Sequence, residues 1–151
     1  MLIQVHHCVQ FIELTSTGRK DYSVAINYCR LAAEQGDKLS QIDAANLLYQ
    51  HGTYPSDAAD AVKLFFDSAL GGSNSGPMGL GKAYEEGVGV LQDFVLAHVW
   101  YNIASSRLGP TAQKEASEAR DRVAMKLSAD QIIGAQELAK QVSEDMGSFK
   151  P

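Results

Sequence analysis

The sequence predicts an all-α protein, an α-α superhelix built as a short solenoid of about four stacked helix pairs. Three observations point there. Small and large apolar residues recur at intervals of three and four, which gathers them on one face of a helix. No segment alternates polar and apolar residues over the length of a strand. Above all, cutting the 151-residue chain after residues 36, 72 and 108 gives three blocks that align without a gap.

The aligned columns predict each element in turn. Asp21, Asp57 and Asp93 share a column at an expected helix start, where a carboxylate accepts from free N–H groups and suits the helix dipole. Four residues on stand Ala25, Ala61 and Ala97, and three later the large Tyr28, Leu64 and Trp100. Small pairs follow at Ala32-Ala33, Ser68-Ala69 and Ala104-Ser105. Gly36 and Gly72 then stop the helix, because a left-handed terminal residue costs glycine little; Leu108 stands there in the third block. The first helix of each block shares small Ser40, Gly76 and Ala112, apolar Ala44, Leu80 and Ala116, small Ala45 and Gly81, and bulky Ile12, Leu48 and Tyr84.

These columns place helices over 3–14, 21–35, 38–51, 57–70, 76–86, 93–107, 111–127 and 129–145. Pro77 and Pro110 suit a first helical turn, and Ser128 with Gln131 forms a capping box. Residues 1–146 then make one repeat domain: a degenerate block 1–36, blocks 37–72 and 73–108, and a capping pair 109–146, with 147–151 frayed.

Composition is that of a globular chain, 45% apolar and 21% charged. A net charge of −5 argues against nucleic acid as the main ligand. No stretch approaches the roughly 18–20 apolar residues of a membrane span. The N-terminus lacks a secretory signal, so the chain as written is expected in the cytoplasm, or in a periplasm where a leader has been removed. Cys8 and Cys29 fall in apolar stretches and read as two small buried side chains. A disulfide stays open if the first two helices pack antiparallel around a turn near 15–20.

The stretch from Leu80 through Asp93, with Leu80-Gly81, Tyr84, Gly87, Gly89-Val90 and Asp93, resembles the L-G-x-x-Y-x-x-G-x-G-V-x-x-D signature of Sel1-like repeats. Ala97, Trp100-Tyr101 and Ala104 continue it as A-x-x-W-Y-x-x-A, and the segments 120–124 and 131–136 resemble the cap that closes bacterial members. The likeness is strong over 72–140, fair over 21–71 and weak over 1–20, where Thr15-Ser16-Thr17-Gly18 replaces the glycine-valine loop. His51 and Thr53-Tyr54-Pro55 depart from the pattern in the second block. The resemblance implies a tetratricopeptide-like stack that binds other proteins, typically as an adaptor or scaffold in bacterial envelope, secretion, signalling or host-contact pathways. Cysteine-rich members credited with β-lactam chemistry carry a cysteine pair in each repeat, and this chain does not.

No catalytic constellation stands out, and neither cofactor nor metal is expected. Gly76-Pro77-Met78-Gly79-Leu80-Gly81-Lys82-Ala83 approaches a phosphate-binding loop, but Ala83 stands where a magnesium-binding hydroxyl is needed. Gly72-Ser73-Asn74-Ser75-Gly76 has asparagine where a nucleophile elbow needs serine. His6 and His7 diverge by roughly 100° on a helix, His51 and His98 have no partner one turn away, and Glu85 and Glu86 diverge likewise.

In tetratricopeptide-like stacks the first helix of each pair lines the concave face. Carried over, that geometry assigns a partner-binding groove to Ile42, Asn46, Tyr49 and Gln50, to Met78, Lys82, Glu85 and Glu86, and to Lys114, Glu118, Asp121 and Arg122. His6, Gln10 and Glu13 would close the other end. Each could equally be an ordinary solvated position. The expected function is a non-enzymatic interaction module for a protein or peptide. The alternatives are an immunity protein for a secreted toxin, a self-associating stalk, and a hydrolase of cell-wall fragments or β-lactams.

Overall fold

The computed structural model describes Cys8, residues 13–14, 17–107 and 109–148. Among the described residues, two short strands, β1 (Glu13–Leu14) and β2 (Lys20–Asp21), precede seven helices. These are α1 (Ser23–Glu34), α2 (Lys38–His51), α3 (Pro55–Leu70), α4 (Gly76–Glu86), α5 (Phe94–Arg107), α6 (Pro110–Ala124) and α7 (Ala129–Ser148). Each helix from α1 to α5 packs against the next in sequence, and α7 packs back across α5. The arrangement is an all-α helical superhelix.

The repeat columns become the interior. Ala25, Ala61 and Ala97 are all fully buried, as are Ala44 and Ala116, with Leu80 all but so. The paired small residues Ala32-Ala33, Ser68-Ala69 and Ala104-Ser105 lie at the same depth, so neighbouring helices approach with little between them. Trp100 fills the space opposite and meets Phe66 edge to face, with ring centroids 6.0 Å apart. Gly36 and Gly72 take φ of +87° and +84°, the left-handed stops that the columns require.

The aspartate column starts three helices in three different ways. Asp93 precedes α5 as its N-cap and accepts from the Leu96 N–H at 3.0 Å. Asp57 lies inside α3 and reaches back to the N–H groups of Thr53 and Tyr54 at 2.8 and 2.9 Å. Asp21 lies outside α1 and accepts from the Ser23 N–H at 2.9 Å. Pro55 explains the shift at α3: its fixed φ starts the helix two residues before the predicted 57. Asp57 also takes a hydrogen bond from Arg30 Nη2 at 3.1 Å, tying α1 to α3. The N–H donors of Tyr54 and Thr53, with Arg30, hold its carboxyl below the usual range against the opposing effect of burial.

Two expectations are corrected, and one open alternative is decided. The predicted helix over 3–14 does not extend to its end, because Glu13 and Leu14 pair antiparallel with Asp21 and Lys20 across a turn containing Gly18. Most of that segment, with His6 and Gln10, lies outside the described residues. Cys8 and Cys29 are fully buried as read, but they are bonded to each other, the alternative that had stayed open. The strand pair, rather than two antiparallel helices, is the described turn between them. Finally α7 continues through Ser148, whose hydroxyl donates to Glu144 O at 3.1 Å, because buried Met146 anchors the last turn.

Candidate functional site

The first helices of successive pairs, α2, α4 and α6, form the walls of a groove made of two adjoining cavities of about 310 and 440 Å³. Met78, Lys82 and Glu115 line both, so the two adjoin at these side chains. The smaller cavity has Asn46, Tyr49 and Gln50 on one side and an apolar floor of Phe65, Met78 and Gly79. The larger is bounded by Glu85, Glu86, Tyr101, Glu118, Arg122 and Lys126.

Glycines in α4 set this shape. A Cβ on Gly79 would collide with the Phe65 ring, and one on Gly81 with the Tyr101 ring. Glycine inside a helix costs about 1 kcal/mol relative to alanine. Here it admits two aromatic side chains from α3 and α5 into the groove wall. Tyr49 meets Phe65 edge to face at 6.0 Å, and Lys82 Nζ lies 5.6 Å from the Tyr49 ring centroid.

The polar groups are arranged in linked pairs. Arg122 donates from Nε and Nη2 to Glu85 at 2.9 and 2.7 Å, and the Tyr101 hydroxyl donates to the same carboxylate at 2.5 Å. The Arg122 bond is the main reason that the Glu85 carboxyl lies below its ordinary range; burial opposes it and the Tyr101 bond adds to it. Burial, then the bond to Glu85, raises the Tyr101 phenol well above its usual value. Burial, then its bond to Glu86, raises Tyr49, whose hydroxyl donates to Glu86 Oε2 at 2.6 Å. Lys82 Nζ completes that pair at 4.0 Å from Glu86. An ionised Glu85 between a guanidinium and a phenol braces helices together and has no proton to give.

Nine of the positions assigned from the sequence line this groove: Asn46, Tyr49, Gln50, Met78, Lys82, Glu85, Glu86, Glu118 and Arg122. Ile42 instead packs half-buried against the core, and Lys114 points outward to Glu118 at 3.8 Å. Asp121 pairs with its neighbour Arg120 at 2.9 Å. Glu13 falls in β1. The groove face of α6 runs through Ala112, Glu115, Glu118, Ala119 and Arg122, so it keeps Glu118 and Arg122 of the assigned set and leaves Lys114 and Asp121 to the flank.

The sequence reading missed Glu115, which lies one turn before Ala119 on the same face. It missed Phe65 and Tyr101 because they belong to the second helices; the interior glycines of α4 were the available signal. His51 stacks flat on Tyr22, ring centroids 3.6 Å apart, and burial pushes the imidazole pKa of His98 down. Gly76–Ala83, the segment that approaches a phosphate-binding loop, lies within α4 and follows a turn after α3.

A Sel1 repeat profile matches residues 15–37, 39–73 and 78–107, more than half of the chain. Among solved structures, a similar one is c5321, a protective antigen present in uropathogenic Escherichia coli strains and displaying an SLR fold. It is 28% identical, with a TM-score of 0.70, and the match covers 85% of this chain and 28% of that one. The chain thus spans under a third of the length of that neighbour. No curated protein matches the sequence significantly. Sel1 repeats are a general kind of protein-interaction module, typically scaffolds without catalysis. On the strength of the three matched segments, the chain belongs to the Sel1 repeat family.

Proposed function

We propose that this chain is a non-catalytic adaptor that holds a protein or peptide partner in the groove between α2, α4 and α6. The observation that carries this reading is that the two cavities adjoin at Met78, Lys82 and Glu115, with aromatic side chains flooring a cleft whose rim is polar. Large apolar side chains ringed by polar groups are the usual anatomy of a binding hot spot. The test is capture of a partner from the native host by tagged wild type and by the triple variant Asn46→Ala, Tyr49→Ala, Lys82→Glu. Retention of the captured partner should fall at least ~10-fold in the variant. Unchanged affinity would place the interface elsewhere.

We also propose that the protein works in a thiol-oxidising compartment such as a periplasm. The bond between Cys8 and Cys29, both fully buried, supports this, since structural disulfides persist where thiols are oxidised. Protein isolated from its host under denaturing alkylation should gain no alkyl group by intact mass. Two alkyl groups per chain would return it to a reducing compartment.

A further inference from the structure

The charges that line the groove are almost all engaged by neighbouring side chains. Glu85 is held by Arg122, Glu86 by Tyr49 and Lys82, and Glu118 by Lys114. Lys126 lies over the Phe94 ring at 4.5 Å and adds to the positive field at Glu85. Glu115 is the exception. It lines both cavities at their junction, and its carboxylate has neither an ion pair nor a hydrogen bond among the described residues.

Asn46 and Gln50 stand on the α2 wall of the smaller cavity, one turn apart, with amides that make no hydrogen bond among the described residues. Each carboxamide offers a donor and an acceptor, the two groups that a peptide unit presents. Residues four apart on a helix are ~6 Å apart along its axis. Residues two apart in an extended chain repeat every ~6.7 Å, with side chains on the same face. The two amides therefore match the spacing of alternate peptide groups in an extended strand. The floor beside them, Tyr49, Phe65 and Met78, accepts an apolar side chain, and Gly79 keeps that floor open.

We propose that the occupant of the groove is an extended peptide segment carrying a large apolar side chain beside a lysine or arginine. Asn46 and Gln50 pair with its backbone, the apolar side chain enters the Tyr49–Phe65–Met78 floor, and the cation meets Glu115. This deepens the adaptor reading and rests on it.

The test is selection of peptides from a displayed random-sequence library on the full chain, in parallel with Glu115→Lys. Wild type should enrich Lys or Arg within two residues of Leu, Ile, Met, Phe or Tyr. Glu115→Lys should exchange that basic preference for Asp or Glu. A synthetic copy of the enriched wild-type peptide should bind Glu115→Lys and Asn46→Ala/Gln50→Ala at least ~10-fold more weakly, the size expected for losing a central charged or hydrogen-bonding contact. Peptides that depend on Tyr49 and Met78 but show no basic preference would overturn this inference and leave the adaptor reading standing. Peptides insensitive to Tyr49→Ala and Lys82→Glu, or no enrichment at all, would overturn both.

Discussion

Glu85 on α4 and Arg122 on α6 meet fork to fork, one carboxylate taking two N–H bonds from one guanidinium. The Glu85 side chain is 15% exposed and that of Arg122 56%, so the pair sits where water screens it from one side only. Removing the cation leaves a largely buried carboxylate with only Tyr101 as a partner, and Arg122→Ala should cost ~1–2 kcal/mol. Arg122→Lys should recover only part of this, because an ammonium cannot fork. The pH dependence has a definite sign. A carboxyl lowered from 4.5 stabilises the fold fully above that value and loses the contribution as pH falls through its folded value. Urea midpoints of wild type and Arg122→Ala should therefore differ at pH 7 and draw together in acid, as pH falls below 4.5. An equal gap at both would show that the pair is not the source.

Gly36 and Gly72 separate backbone strain from crowding. Both have positive φ, and a Cβ at either would meet nothing within 4 Å. Alanine there should cost ~1 kcal/mol, entirely from the left-handed backbone, and asparagine less, since its side chain tolerates that region. The two positions lie in separate turns, so the double variant should show the sum within ~0.5 kcal/mol. Denaturant unfolding of the two single variants and the double one checks this. A cost for asparagine as large as for alanine would contradict it.

The Cys8–Cys29 bond spans 21 positions of sequence and ties the N-terminal segment to α1. Closing a loop of that length removes ~3 kcal/mol of chain entropy from the unfolded state. Reduction under native conditions should be slow, because both sulfurs are buried. Once reduced, the protein should unfold at a lower denaturant midpoint, by up to that amount. A midpoint insensitive to reductant would mean that the bond contributes nothing to the folded state.

Much of the fold was legible because a repeat reports the same contact several times. The predicted limits of α2 and α4 coincide with those observed, and the small-residue columns are buried apart from Ala112, which lines the groove. Legibility failed where a residue answers to a partner outside its own column. Glu13 and Leu14 lie in an apolar stretch that suits a helix, yet their backbone is taken by Lys20 and Asp21. Cysteine pairing depended on that same segment. In the groove, Asn46, Tyr49, Met78 and Lys82 could be placed from the period. On α6 the columns are thinner, so Glu118 and Arg122 were placed but Glu115 was passed over. Phe65 and Tyr101 reach the groove only because Gly79 and Gly81 let them through, and a column alignment does not show what passes between columns.

A stack whose members touch mainly their neighbours opens from its ends, and these two ends are unequal. The first helix is held by a covalent bond. The last, α7, buries only Ala135, Ala139 and Met146 among the described residues, over twenty residues of helix. Thermal opening then has a polarity. Amide protons of α7 should be released to solvent first, those of α1 late, and the walls of the groove in the order α6, α4, α2.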